Sequence, residues 1–150
     1  MGASEHVLNE TEFPLQGPGF HIRLAELIEV VPDNDWQWSV LECIGIGTMP
    51  WEMRSGRVGE RVLASHVGFL MSWHELREFA DGLEWTEELL VVAAESLERL
   101  DPEQLGVDDF TGCLMTLEAV ANTTWTVTGR PGLFDDFDIV DLLRARYGGS

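Results

Sequence analysis

Ser72-Trp73-His74-Glu75-Leu76-Arg77-Glu78-Phe79-Ala80-Asp81-Gly82-Leu83 is the stretch on which the fold of this chain turns. Ser72 and Glu75 stand at capping-box spacing, where the hydroxyl accepts the amide three residues on and the carboxylate reaches back to the serine amide. Leu76, Phe79, Ala80 and Leu83 recur at i, i+3, i+4 and i+7, one apolar stripe with a helical period. Gly82 is placed to take the left-handed conformation that ends many helices. Glu75, Glu78 and Asp81 occupy the opposite face. The spacing predicts a helix over 72–83 whose stripe holds a sheet.

Working outward toward the N-terminus, Val62 to Met71 reads as a strand that leads directly into this helix. Gly47 to Arg61 breaks regularity with Pro50, Gly56 and Gly59 and holds a basic cluster, Arg54, Arg57 and Arg61. Those glycines match no phosphate-loop template, so pairing with nearby carboxylates is the expectation over an anion site. Trp36, Trp38 and Val40 alternate with Gln37 and Ser39, the pattern of a half-buried strand running to about Ile46. Pro32-Asp33-Asn34-Asp35 before it is turn chemistry. Phe20 to Val31 fits a helix by Leu24, Leu27, Ile28 and Val31, but the turn that follows favours a strand and a β-hairpin. Residues 1–19, with Pro14, Gly17, Pro18 and Gly19, read as an arm or lead-in loop, and residues 20–150 as a single domain.

Toward the C-terminus, Thr86 can cap a second helix in which Leu89, Ala93, Leu97 and Leu100 share a face and Asp101-Pro102 is the stop. The run Leu90-Val91-Val92 is the competing signal, a buried strand. Helix over 86–100 is the expectation. Cys113 to Ala121 and Thr124 to Thr128 are β-branched and apolar, with Asn122-Thr123 a bend between them. Gly129-Arg130-Pro131-Gly132 is a turn. A last helix is expected from about Asp136 to Tyr147, with Ile139, Leu142 and Leu143 inward and Arg144 and Arg146 near its C-terminus, where the dipole favours them. Short connections between strands and clustered helices give an α+β class: an antiparallel sheet of about four or five strands with two or three helices packed on one face.

Composition narrows the function classes. At 150 residues with 45% hydrophobic and 24% charged content, the chain is long enough to bury one core. No apolar run reaches the roughly 20 residues of a membrane helix, and the polar start offers no secretory segment, so a cytoplasmic protein is expected. Cys43 and Cys113 lie in apolar contexts and read as buried, reduced thiols. The formal charge is −18, with 27 acids against nine bases, every one of them arginine. Direct nucleic-acid binding is disfavoured, because phosphate contacts need a basic face. Two readings of the acidity remain: a basic protein partner, or a coding or saline bias of the source that acts on every surface.

The distribution of charge bears on that choice. Residues 75–109 hold twelve acids and two arginines, a net −10, which leaves −8 for the other 115 residues. A uniform bias spreads charge more evenly. Glu75, Glu78, Asp81, Glu84, Trp85, Glu87 and Glu88 are therefore the candidate partner-binding residues. Six tryptophans add large side chains of the kind that dominate binding hot spots. Trp36 and Trp38, on one face of a strand, are the candidates for an alternative, a ligand pocket completed by a carboxylate.

Chemistry of other kinds finds little support in the pattern. His66 and His74 are eight apart and lack the i, i+4 spacing of a helical zinc motif, so no metal is expected. Asp33-Asn34-Asp35 begins like a calcium loop but has neither the glycine at position six nor the glutamate at twelve. There is no Gly-x-Ser-x-Gly elbow and no dinucleotide fingerprint around Gly45-Ile46-Gly47, so no cofactor is expected. The sequence favours a small acidic protein-binding module, immunity-like, over a basic surface such as that of a nuclease toxin. A ligand-binding protein or enzyme and a structural subunit of a larger assembly are the alternatives.

Overall fold

Sheet and helices are both set by where the apolar side chains fall. The computed structural model describes residues 9–47, 69–101, 103–104, 110, 112–133 and 138–147. The Arg54, Arg57 and Arg61 cluster lies outside them. In chain order the elements are β1 (Asn9–Pro14), β2 (Gln16–Gly17), β3 (Phe20–His21), α1 (Leu24–Ile28), β4 (Gln37–Gly47), β5 (Phe69–Met71), α2 (Trp73–Gly82), β6 (Leu83–Ala94), β7 (Met115–Val120), β8 (Thr124–Gly129) and α3 (Ile139–Tyr147). The class is α+β. The main sheet has six strands in the order β1-β8-β7-β6-β4-β5, every neighbouring pair antiparallel, and β2 with β3 forms a separate two-stranded ribbon.

The sixth strand comes from the segment expected as a lead-in loop. Asn9 to Pro14 pairs with Thr124 to Gly129 and turns Thr11 and Phe13 inward while Glu10, Glu12 and Pro14 face out. Pro14, unable to donate to a ladder, sits at the strand's end on the edge of the sheet. That edge is covered by α3. The Arg144 guanidinium donates to the Glu10 carbonyl at 2.8 Å, and the Phe13 and Tyr147 rings lie 5.2 Å apart.

Two further expectations are corrected. Phe20 to Val31 does not form a hairpin with the next strand: only Phe20–His21 is extended, paired to Gln16–Gly17, and Leu24–Ile28 is a short helix. The Glu26 carboxylate accepts the Arg23 amide at 2.7 Å, which fixes the first turn, and Leu24, Leu27 and Ile28 are buried together. The segment expected as a helix over 86–100 is the long strand β6, followed by a 3-10 turn at Leu97–Arg99. β6 lies between β4 and β7, so both of its edges are paired, and both of its faces are buried. Leu89, Val91 and Ala93 join the main core, and Leu90, Val92 and Ala94 a smaller one with Leu100 and Cys113. A strand buried on both faces shows a continuous apolar run instead of alternation.

The opening helix forms where the sequence puts it. Ser72 Oγ accepts the Glu75 amide at 3.2 Å and Glu75 Oε1 accepts the Ser72 amide at 2.9 Å. Trp73, Leu76, Phe79 and Ala80 are buried, and full burial of a Leu or Phe side chain stabilises a fold by roughly 1.5–3 kcal/mol each. The end of the helix differs from expectation. Gly82 is not among the residues with positive φ, and the chain passes directly into extended Leu83. The last carbonyls are instead met by Arg23, whose Nη2 donates to Asp81 O at 2.7 Å and Nε to Leu83 O at 3.2 Å. A guanidinium at a helix C-terminus satisfies orphan carbonyls and opposes the dipole. Buried residues of all three helices share one cluster with Trp38, Val40, Leu117, Trp125 and Val127 of the sheet.

Candidate functional site

Pro32-Asp33-Asn34-Asp35 is more than a change of direction. Asn34 Nδ2 donates to Pro32 O at 2.9 Å, and Asn34 Oδ1 accepts the Trp36 amide at 3.2 Å and the Trp38 indole N–H at 3.0 Å. Asp33 Oδ1 accepts the Trp73 indole N–H at 3.0 Å and lies 3.6 Å from the Arg77 guanidinium. A buried indole needs an acceptor for its N–H, and two turn side chains supply them. The three rings run in series, Trp36 to Trp38 at 5.8 Å between centroids and Trp38 to Trp73 at 5.4 Å. Trp38 is 0% exposed and Trp73 8%, so of the three only Trp36 reaches the surface appreciably.

Beside Trp36 is an open cleft of about 520 Å³, bordered by Asp35, Leu70, Ser72, Glu75 and Glu95 among others. Its three carboxylates come from three elements: the turn before β4, the first turn of α2 and the end of β6. Among the described residues no basic one borders it. Glu75 holds its place through the Ser72 amide, while Asp35 and Glu95 are exposed and make no ion pair with a described residue. A second, smaller cleft of about 250 Å³ lies between α1 and α2, where Arg77 and Asp33 meet.

The candidate residues from sequence divide three ways. Glu75, Glu78, Asp81, Glu84 and Glu87 are exposed, the first three on α2 and the others on β6. Glu78 lies 2.8 Å from His74 Nε2 on the helix surface. Glu88 is half-buried and its Oε1 accepts the Ala121 amide at 3.0 Å, beside the Asn122 amide that donates to Glu87 O at 2.8 Å. It braces the β7–β8 turn. The Trp85 side chain lies outside the described residues. Trp36 and Glu75, candidates for two different sites, border one cleft; Trp38 does not border it, because it is wholly inside.

Sequence reasoning missed Asp35 and Glu95. In sequence Asp35 reads as part of a turn, and a helix over 86–100 gives Glu95 no place beside Trp36. His21 is the described group whose proton affinity departs from its ordinary value: burial lowers its pKa, Glu26 raises it less, and Arg23 lowers it further. Among the described residues no group of three His, Cys, Asp or Glu side chains is arranged to hold a metal ion, and no helix is long and apolar enough to cross a membrane. Comparison with protein-family models, curated proteins and solved structures returned no match.

Proposed function

We propose that this chain is a small cytoplasmic binding protein, immunity-like, whose acidic surface covers a basic surface of a partner such as a nuclease toxin. The observation that carries the reading is the concentration of charge: a net −10 within residues 75–109 of a chain with 27 acids, nine arginines and no lysine. A partner that handles nucleic acid must present a basic face, and a protein that covers it needs the opposite sign. The exposure of Glu75, Glu78, Asp81, Glu84 and Glu87 supports the reading, because charge that is to meet a partner has to be at the surface. Among the described residues none of these five carboxylates is paired with an arginine.

The test is capture from the source lysate on immobilised protein at low and high salt, in parallel with a bait carrying Glu78→Lys and Asp81→Lys. Both positions are exposed, and a lysine at Asp81 suits the helix C-terminus, so the fold is expected to persist. The expected result is a basic protein held at low salt, released at high salt, and bound at least about tenfold more weakly by the reversed bait. Retention of nothing at low salt refutes the reading. Equal retention by both baits refutes the placement on α2.

A further inference from the structure

β1 lies on the edge of the main sheet, and its fastenings are long-range. Six residue pairs join it to β8, the Glu10 carbonyl accepts from Arg144, and the Phe13 ring meets Tyr147. Just past its end, the Leu15 amide donates to Thr123 O at 2.9 Å, and Gln16 Nε2 donates to Asn122 O at 3.0 Å. All of these partners lie beyond residue 120, on the far side of the turn that joins β2 to β3.

That turn is a two-residue loop, Pro18-Gly19, between Gly17 and Phe20. Proline in first place, followed by Gly19 at a φ of 83°, is the chemistry of a type II turn. Such a turn twists against the strands that it joins, and two-residue hairpins favour its mirror image or type I′. β2 and β3 make two residue pairs, Gln16 with His21 and Gly17 with Phe20. The straightened form suits the same residues, because proline is at home in extended chain and biases the residue before it the same way. Pro18, Gly19 and Phe20 are exposed, so straightening them uncovers no core.

An opened turn carries β1 and β2 away from their own β8 and β3 and delivers them to a second copy. There β1 meets the same strand, the same Tyr147 and the same Arg144, and β2 meets the same β3. Each of these contacts is regained across the two copies, and the loop is what differs. We propose that Gly17–Phe20 is a hinge and that two copies of this chain exchange β1 and β2, forming a strand-swapped dimer in which each sheet is completed by the other chain. The dimer is independent of the basic-partner reading.

The test begins with protein refolded from urea at about 10 μM and at about 1 mM, the latter near the effective concentration at which a tethered strand meets its own site. Salt at about 0.5 M screens the repulsion between two chains of net charge −18. Size-exclusion chromatography with light scattering should show monomer from the dilute sample and a dimer fraction of at least about one tenth from the concentrated one. Gly19→Ala acts on the closed loop alone, because a Cβ there meets nothing within 4 Å while φ stays at +83°. Left-handed alanine is disfavoured about tenfold, and a swapped dimer relieves two such loops, so the dimerisation constant should rise about a hundredfold. Pro18→Asn places asparagine before the glycine, which suits a type I′ turn, and should lower the constant at least about tenfold.

Exchange itself is read by refolding Glu12→Cys protein together with Thr126→Cys protein, each also carrying Cys43→Ala and Cys113→Ala. Glu12 and Thr126 are opposed in the β1–β8 register, so a disulfide between the two chains forms where the β1 of one lies on the β8 of the other. Monomer alone at the higher concentration, in wild type and in Gly19→Ala, overturns the proposal. A dimer without that disulfide overturns it too, as does equal dimer from Gly19→Ala and Pro18→Asn. If Gly19→Ala does not fold, wild type against Pro18→Asn, together with the disulfide, decides the matter.

Discussion

Arg23 should be worth about as much to this fold as a buried methyl pair, although nothing around it in sequence marks it. The perturbation is Arg23→Met, which keeps the alkyl stem and removes every donor. Two bonds are lost, Nε to Leu83 O at 3.2 Å, partly buried, and Nη2 to Asp81 O at 2.7 Å, exposed. A hydrogen bond from a charged donor contributes about 1.5–3 kcal/mol where water is excluded, and the exposed one is discounted to about 0.5 kcal/mol. The sum is about 2 kcal/mol, or a fall in Tm of about 4–8 °C for a chain of this size. Thermal and urea unfolding followed by far-UV circular dichroism measures it. Arg23→Lys should recover less than half, because an ammonium is a point donor that cannot span two carbonyls as the guanidinium fork does. A Tm for Arg23→Met within about 1 °C of wild type refutes the claim that this side chain replaces the missing glycine cap.

Ala121 and Asn122 both have positive φ, 50° and 57°, at the centre of the β7–β8 turn. Left-handed backbone costs an alanine about 1–2 kcal/mol, and glycine gives back part of that in chain entropy. Ala121→Gly is therefore expected to stabilise the protein by about 0.5–1 kcal/mol, read as a higher urea midpoint with an unchanged slope; a lower midpoint counts against the turn geometry. His21 carries a pH signature. Its folded pKa lies below its ordinary value, chiefly through burial, so at pH below the ordinary value the unfolded chain binds the proton more readily. Its contribution is complete at higher pH and is lost as pH falls from about 6.5 toward the folded pKa. The urea midpoint of wild type should drop further between about pH 7.5 and pH 5.5 than that of His21→Gln, and parallel profiles would exclude the effect.

What could be read from the sequence was what is local. The helix over 73–82 is announced by a cap and a stripe within twelve residues, and it forms with the bonds its spacing implies. The turn at 32–35 was equally plain, but the use of Asn34 and Asp33 as indole acceptors depends on where Trp38 and Trp73 meet. β6 was hidden by its central place in the sheet, since burial on both faces erases alternation and leaves a run that fits a helix as well. β1 did show alternation at Thr11 and Phe13, but its neighbouring prolines and glycines suggested a loop, and its partner is far away in sequence. The candidate site followed the same rule. Trp36 and Glu75 stood out singly, and their meeting with Glu95 required the end of β6 to arrive beside the first turn of α2.

The pairing of β1 with β8 also fixes an order of events. Pro14 lies opposite Thr124, so the loop this pair closes is about 110 residues, whereas β7 and β8 are joined by three. For a bare chain the difference in closure entropy is about 3 kcal/mol, roughly two orders of magnitude in the chance that the ends meet. β1 should therefore be the last strand to join, and pulse-labelled amides of Thr11 and Phe13 should gain protection after those of Leu117 and Thr126, which face β6 and β7. Until then β8 carries an open hydrogen-bonding edge, with Arg144 lacking the Glu10 carbonyl that it holds once the sheet is complete. The interval before that closure is when this acidic chain is most exposed to joining the wrong strand, because β8, Thr124–Gly129, carries no charged residue to repel a second edge.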